Sequence, residues 1–179
     1  MIDGYGRTID YVRISVTDRC NLRCVYCMPE EGVCSISHEE ILRFGEIERV
    51  CQILAENGIQ KIKLTGGEPL VRRRLPELAA ALKQIPGIKS LTITTNGVLL
   101  EEMYDALADA GVDSVTISLD TLDASVYRQL TRRDELEAVR RGLRTAIQKG
   151  RMQIKINCVA GAWDRGAKAF RGGGTGEKP

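Results

Sequence analysis

Short runs in which apolar and polar residues alternate are separated along this chain by longer segments whose apolar positions recur three and four residues apart. The alternating runs predict strands at 10–17, 61–65, 90–95, 114–119 and 153–159. Helical spacing predicts helices at 75–85, 101–110, about 124–130 and 135–149, and a first helix that starts at Ser37 and stops near Gly58. Ser37 and Glu40 have the spacing of a capping box, and Gly58 suits a left-handed C-terminal cap. Ile47, Val50, Cys51 and Leu54 form the apolar stripe between them. Strands separated by helices of this length need right-handed crossovers, so the sheet is predicted parallel and the class α/β.

The strand faces carry functional information. One face holds Val12, Ile14 and Val16; Ile62 and Leu64; Leu91 and Ile93; Val115, Ile117 and Leu119; Ile154, Ile156 and Cys158. That face is expected to meet the helices. The other holds Arg13, Ser15 and Thr17; Lys63 and Thr65; Thr92 and Thr94; Thr116 and Ser118; Lys155 and Asn157. A barrel lumen packed with branched apolar residues would not read this way. The polar face is expected to line a ligand cavity, the alternative being an open sheet with one wetted face. Arg13, Lys63 and Lys155 on that face favour an anionic ligand such as a phosphate. Each could instead extend its charge to water.

Net charge excludes less than it might. The chain carries +2, and residues 160–179 supply it through Arg165, Lys168, Arg171 and Lys178 against Asp164 and Glu177. A neutral body gives no electrostatic footprint for nucleic acid or an anionic membrane. No apolar run approaches the roughly 18 to 20 residues that span a bilayer, and residues 1–7 lack the apolar core of a signal peptide, so a cytoplasmic protein is expected. In a reducing compartment six cysteines read as ligands, catalytic thiols or buried apolar residues before disulfides.

Cys20, Cys24 and Cys27 form a C-x3-C-x2-C run directly after the first strand. Three thiolates on one short loop can hold three corners of an iron-sulfur cubane, leaving one iron open to a substrate or cofactor. A zinc site with Cys34 as fourth ligand is the alternative, as is a set of unrelated thiols. Cys51 and Cys158 lie on apolar faces and are expected as packed core thiols. Cys34 is ambiguous, and the sole histidine, His38, is most simply a solvated residue at a helix start. Gly66-Gly67-Glu68-Pro69 follows the second strand; two glycines let backbone approach a ligand closely, although a tight strand-to-helix turn uses the same residues. Asn96-Gly97 reads as an ordinary turn.

The run Cys20-Asn21-Leu22-Arg23-Cys24-Val25-Tyr26-Cys27-Met28-Pro29 resembles the radical S-adenosylmethionine (SAM) signature, and specifically the GTP 3',8-cyclase family, over about residues 7–159. The resemblance implies a partial (βα) parallel barrel, with about five βα units present of six. It implies a [4Fe-4S] cluster on Cys20, Cys24 and Cys27, SAM bound at Tyr26, Gly67 and Ser118, and GTP at Arg13, Lys63, Thr94 and Lys155. Cyclisation of GTP would open molybdenum cofactor biosynthesis, with an electron donor such as flavodoxin or ferredoxin; a homodimer is a candidate assembly. No catalytic side chain is singled out. A noncatalytic fragment that binds cluster and SAM, or a radical SAM enzyme with another substrate, are the alternatives. Past Val159 the family continues into further strands and a second cysteine trio that binds another cluster. Residues 160–179 carry six glycines and no such cysteines, so a second cluster is not expected here. Residues 1–159 are then an incomplete radical SAM core and 160–179 a flexible tail.

Overall fold

Five strands, β1 (Tyr11–Ser15), β2 (Lys61–Thr65), β3 (Ser90–Thr95), β4 (Ser114–Ser118) and β5 (Gln153–Asn157), pair side by side in chain order. The computed structural model describes residues 2–32, 37 and 40–159. Every pairing is parallel. A sheet wound in one direction by right-handed crossovers keeps its helices on one face and curls toward a barrel. The helices are α1 (Phe44–Glu56), α2 (Leu75–Lys83), α3 (Leu100–Asp109), α4 (Ala124–Thr131) and α5 (Leu136–Lys149). This is the expected partial (βα) barrel.

The core lies between helices and sheet. Ile62, Leu64, Leu91, Ile93, Val115 and Ile117 of the central strands are buried against Ile47 and Cys51 of α1, Leu78 and Leu82 of α2, Tyr104 and Leu107 of α3, and Val139 of α5. At about 25 cal/mol per Å2, such burial is the main stabilising term. The opposite face stays polar, as the alternation predicts. Tyr104 is fully buried, and its hydroxyl accepts the backbone N–H groups of Arg151 (2.9 Å) and Met152 (3.3 Å), which fixes where β5 begins.

Two expectations are corrected. The first helix begins at Phe44, not Ser37. Ser37 and Glu40 do pair, Ser37 Oγ donating to Glu40 Oε2 at 2.9 Å, but the helix lies further along the chain. Glu46 instead accepts the Arg43 N–H at 2.6 Å, while the Glu46 and Ile47 N–H groups donate to Arg43 O, and the helix nucleates there. Its end at Glu56, followed by left-handed Gly58, agrees with expectation. The second correction concerns Cys158. β5 ends one residue earlier and is the edge of the described sheet, so this thiol is exposed, whereas Cys51 is fully buried as expected. Cys34, His38 and the tail at 160–179 lie outside the described residues.

Candidate functional site

The loop after β1 carries the cysteine triad, and contacts on two sides hold it. On the first side, Gly67 N–H donates to Thr17 O and Glu68 N–H to Arg19 O, both at 2.7 Å. A Cβ on Gly67 would stand 2.3 Å from Arg19 O, and one on Gly66 2.5 Å from Thr17 O. The expectation is that these glycines admit a ligand; the backbone they admit here is that of the cysteine loop itself. On the second side, Arg23 and Val25 donate N–H groups to Thr131 O (2.9 Å) and Leu130 O (2.8 Å). These bonds satisfy carbonyls that the C-terminus of α4 would otherwise leave open. Arg132 follows in a left-handed conformation with φ of 54°. Its guanidinium donates to Arg23 O (3.2 Å) and Met28 O (3.1 Å), bridging the segment that carries Cys24 and Cys27 and offsetting a backbone cost of order 1 kcal/mol.

The thiols belong to one electrostatic unit. Cys20 and Cys24 are half-buried and Cys27 is exposed. Burial is the main cause that raises the Cys20 thiol, with the charges of Glu68 and Cys27 adding to it. Burial also pushes Cys24 up to about 11, reinforced by Cys20, Cys27 and Asp120. A bound cationic metal centre reverses this balance and holds the thiolates deprotonated. Among the described residues no three His, Cys, Asp or Glu side chains converge on a point where a single ion would sit. A cubane binds each thiolate through a different iron, so three thiols spread along one anchored loop fit it. The zinc alternative needs Cys34, which is outside the described residues.

Beside Cys24 a cavity of about 40 Å3 is lined by Tyr26, Asn96, Ser118, Asp120 and Tyr127, among others. The structure thus brings together Tyr26 and Ser118, two of the three residues assigned to SAM, at the mouth of the triad. Tyr26 donates to Asp120 Oδ2 at 2.6 Å, and Asp120 Oδ1 accepts the Val159 N–H at 2.9 Å. Burial, then the hydrogen bond to Asp120, raise the Tyr26 phenol and keep it a donor. Tyr127 is 3% exposed and its hydroxyl has no hydrogen-bond partner among the described residues. A buried hydroxyl left unpaired costs about 1 to 3 kcal/mol, which a polar group placed in this cavity would recover. A second cavity, about 620 Å3, lies between the exit of β1 and the start of α1, against Arg19, Arg43, Arg72 and Arg73.

The four residues assigned to GTP share the polar face but not one point. Arg13 and Lys63 are register partners on β1 and β2. Thr94 pairs with Thr116, and Thr116 with Lys155, so Lys155 sits on the far strand of the sheet. At about 4.8 Å per strand, β2 and β5 stand roughly 14 Å apart before curvature is counted. Arg13 Nη2 donates to Thr65 Oγ1 at 3.2 Å. Among the described residues, Arg13, Lys63 and Lys155 make no ion pair.

Glu68, Asn96 and Asp120 are members of the site that sequence reasoning missed. Glu68 is 2% exposed; its Oε1 accepts Leu70 N–H (3.0 Å) and Thr95 O–H (2.6 Å), and its Oε2 accepts Asn96 N–H (2.6 Å). Burial raises its carboxyl above the ordinary value, while the Thr95, Asn96 and Leu70 hydrogen bonds pull it down. The available signal was position: each residue follows the C-terminal end of a parallel strand, the end at which (βα) barrels build their sites.

A partial parallel barrel with a three-cysteine loop at the C-terminal end of β1 is the arrangement of the radical SAM superfamily, whose pattern matches residues 14–162, and the chain belongs to that superfamily. Within it, the chain is 54% identical over 159 residues to a GTP 3',8-cyclase of Pelotomaculum thermopropionicum and 48% identical over 159 residues to one of Petrotoga mobilis. Each match covers 89% of this chain and 49% of the relative, so the chain spans about half the length of the curated relatives it matches. The resemblance read from the motifs is borne out. Among solved structures, native anSMEcpe with bound AdoMet aligns with a TM-score of 0.65 and 21% identity over 83% of this chain and 43% of that one. Methylornithine synthase (PylB) aligns with a TM-score of 0.63 and 19% identity over 83% and 44%. The likeness to these two is one of fold.

Among the described residues no helix is long and apolar enough to cross a membrane.

Proposed function

We propose that this chain carries the SAM-cleaving part of a GTP 3',8-cyclase, which converts GTP to (8S)-3',8-cyclo-7,8-dihydroguanosine 5'-triphosphate in the first step of molybdenum cofactor biosynthesis. The observation that carries this reading is the loop of Cys20, Cys24 and Cys27, braced by the Gly66–Gly67 approach on one side and by α4 on the other. When bound, a [4Fe-4S] cluster held by Cys20, Cys24 and Cys27 would supply a site for SAM and the one-electron chemistry that its cleavage needs.

The protein's own part is placement. Cys20, Cys24 and Cys27 hold the cluster, and Gly67 with Ser118 and Tyr26 hold SAM beside it. Arg13, Lys63 and Lys155 supply positive charge for the triphosphate, with Thr94 as a hydrogen-bonding partner to GTP. Radical transfer demands near-contact between the reacting carbons, and misplacement alone removes orders of magnitude in rate. The electron comes from a donor of the flavodoxin or ferredoxin kind. Residues 1–159 are the radical SAM core in this reading.

Anaerobic chromatography of one mixture containing the reconstituted protein, reductant, SAM and GTP tests it. We expect 5'-deoxyadenosine from residues 1–179, and the cyclised nucleotide only from a chain of the relatives' full length. Folded, cluster-loaded protein that releases no 5'-deoxyadenosine would contradict the reading. So would a full-length chain that cleaves SAM and leaves GTP unchanged, which would point to another substrate.

A further inference from the structure

Asn96, the residue after β3, has the geometry of an ordinary turn and one contact a turn does not need. Its Oδ1 accepts the Val98 N–H at 3.0 Å. That bond decides which end of the carboxamide is oxygen, because the reversed amide would set an NH2 group against a backbone N–H. Nδ2 therefore faces the cysteine loop, donating to Asn21 Oδ1 at 2.7 Å and to Cys20 Sγ at 3.8 Å. The Leu22 N–H donates to the same sulfur at 3.4 Å. The backbone of Asn96 is itself anchored: its N–H donates at 2.6 Å to Glu68, the buried carboxylate of the Gly-Gly-Glu-Pro turn. A chain of hydrogen bonds thus runs from the end of β2 through the end of β3 to one thiol of the triad.

We propose that Asn96 is a positioning residue that donates to the Cys20 thiolate and thereby raises the reduction potential of the cluster. The proposal rests on the reading of Cys20, Cys24 and Cys27 as cluster ligands. An N–H group aimed at a ligating sulfur withdraws charge from it, and the more negative reduced state gains more than the oxidised state. Glu68 acts through Asn96 by holding it in register. Asn21 competes for the same amino group without touching the sulfur through it.

The experiment is a redox titration, monitored by electron paramagnetic resonance, of the anaerobically reconstituted full chain, with iron counted in every sample. Asn96→Ala should retain wild-type iron and titrate at a more negative midpoint. Asn96→Asp, which sets an anion against the thiolate, should move further in the same direction. Asn21→Ala should move the midpoint least, because the donor to Cys20 survives. Asn96→Ala and Asn96→Asp holding full iron at the wild-type midpoint would overturn the proposal.

A second measurement covers variants that fail to load. In Asn21→Ala protein labelled with 15N at the asparagine side-chain amides, the reduced cluster should show a weak nitrogen coupling by electron-nuclear double resonance. Its absence would also overturn the proposal. Wild-type protein that binds no iron would sink the cluster reading itself, an outcome separate from either of these.

Discussion

The cysteine corner and the row of cations on the polar face are built in opposite ways. Around Cys20, Cys24 and Cys27 the loop is braced by β2, β3 and α4 through Gly67, Asn96 and Thr131. Arg13, Lys63 and Lys155 have no ion-pair partner among the described residues and stand on strands at both sides of the sheet. The difference follows from what each region must do. A metal centre requires fixed donors before it binds, so the chain supplies their geometry. A polyanion brings its own countercharge, so in the proposed reading the cations need no partner within the protein.

The contrast breaks first at Gly67. Gly67→Ala places a Cβ 2.3 Å from Arg19 O, a backbone atom that cannot swing aside, so the two loops must part. We expect a loss of about 3 kcal/mol in denaturant unfolding, in the range of overpacked sites. Unchanged stability would mean that the close approach is not what holds the loop.

The cation row should respond in the opposite sense. Arg13→Ala, Lys63→Ala and Lys155→Ala should each weaken GTP binding by about 1 to 3 kcal/mol as a lost charge-assisted hydrogen bond. SAM binding should stay nearly intact, and folding stability should change by no more than about 0.5 kcal/mol. Calorimetric titration with each ligand separates the terms. Equal loss of both would show that the cations brace the fold rather than await an anion.

The smallest effect sharpens the boundary of the corner. Cys51 is fully buried in the core, so Cys51→Ala should cost about 1 kcal/mol in unfolding and leave iron content unchanged. Cys158, exposed at the edge of the sheet, should cost less when changed to Ala. Iron lost in Cys51→Ala protein, with folding intact, would move the ligand set away from the loop.

What was legible in the sequence follows the range of the interactions. Periodicity is local, so β2 and β3 agree with expectation to the residue, as does the assignment of Cys51 to the core. The start of α1 was misplaced because two competing capping pairs, Ser37–Glu40 and Arg43–Glu46, stand six residues apart and only packing chooses between them. Cys158 was misplaced because alternation names a face and says nothing about whether a strand is the edge. The triad was legible because its three cysteines share one loop. The partners that hold it were not: Asn96 reaches Cys20 across 76 positions and Asp120 reaches Tyr26 across 94, and neither residue type at a turn announces such a bond.

The central claim is that Cys20, Cys24 and Cys27 hold a cluster with one iron open to SAM. The direct measurement is the electron paramagnetic resonance spectrum of the reduced, anaerobically reconstituted protein before and after SAM is added. The claim predicts a [4Fe-4S] signal that SAM perturbs, and its disappearance together with the bound iron in each of Cys20→Ala, Cys24→Ala and Cys27→Ala. A signal indifferent to SAM, or iron retained in all three variants, would contradict it.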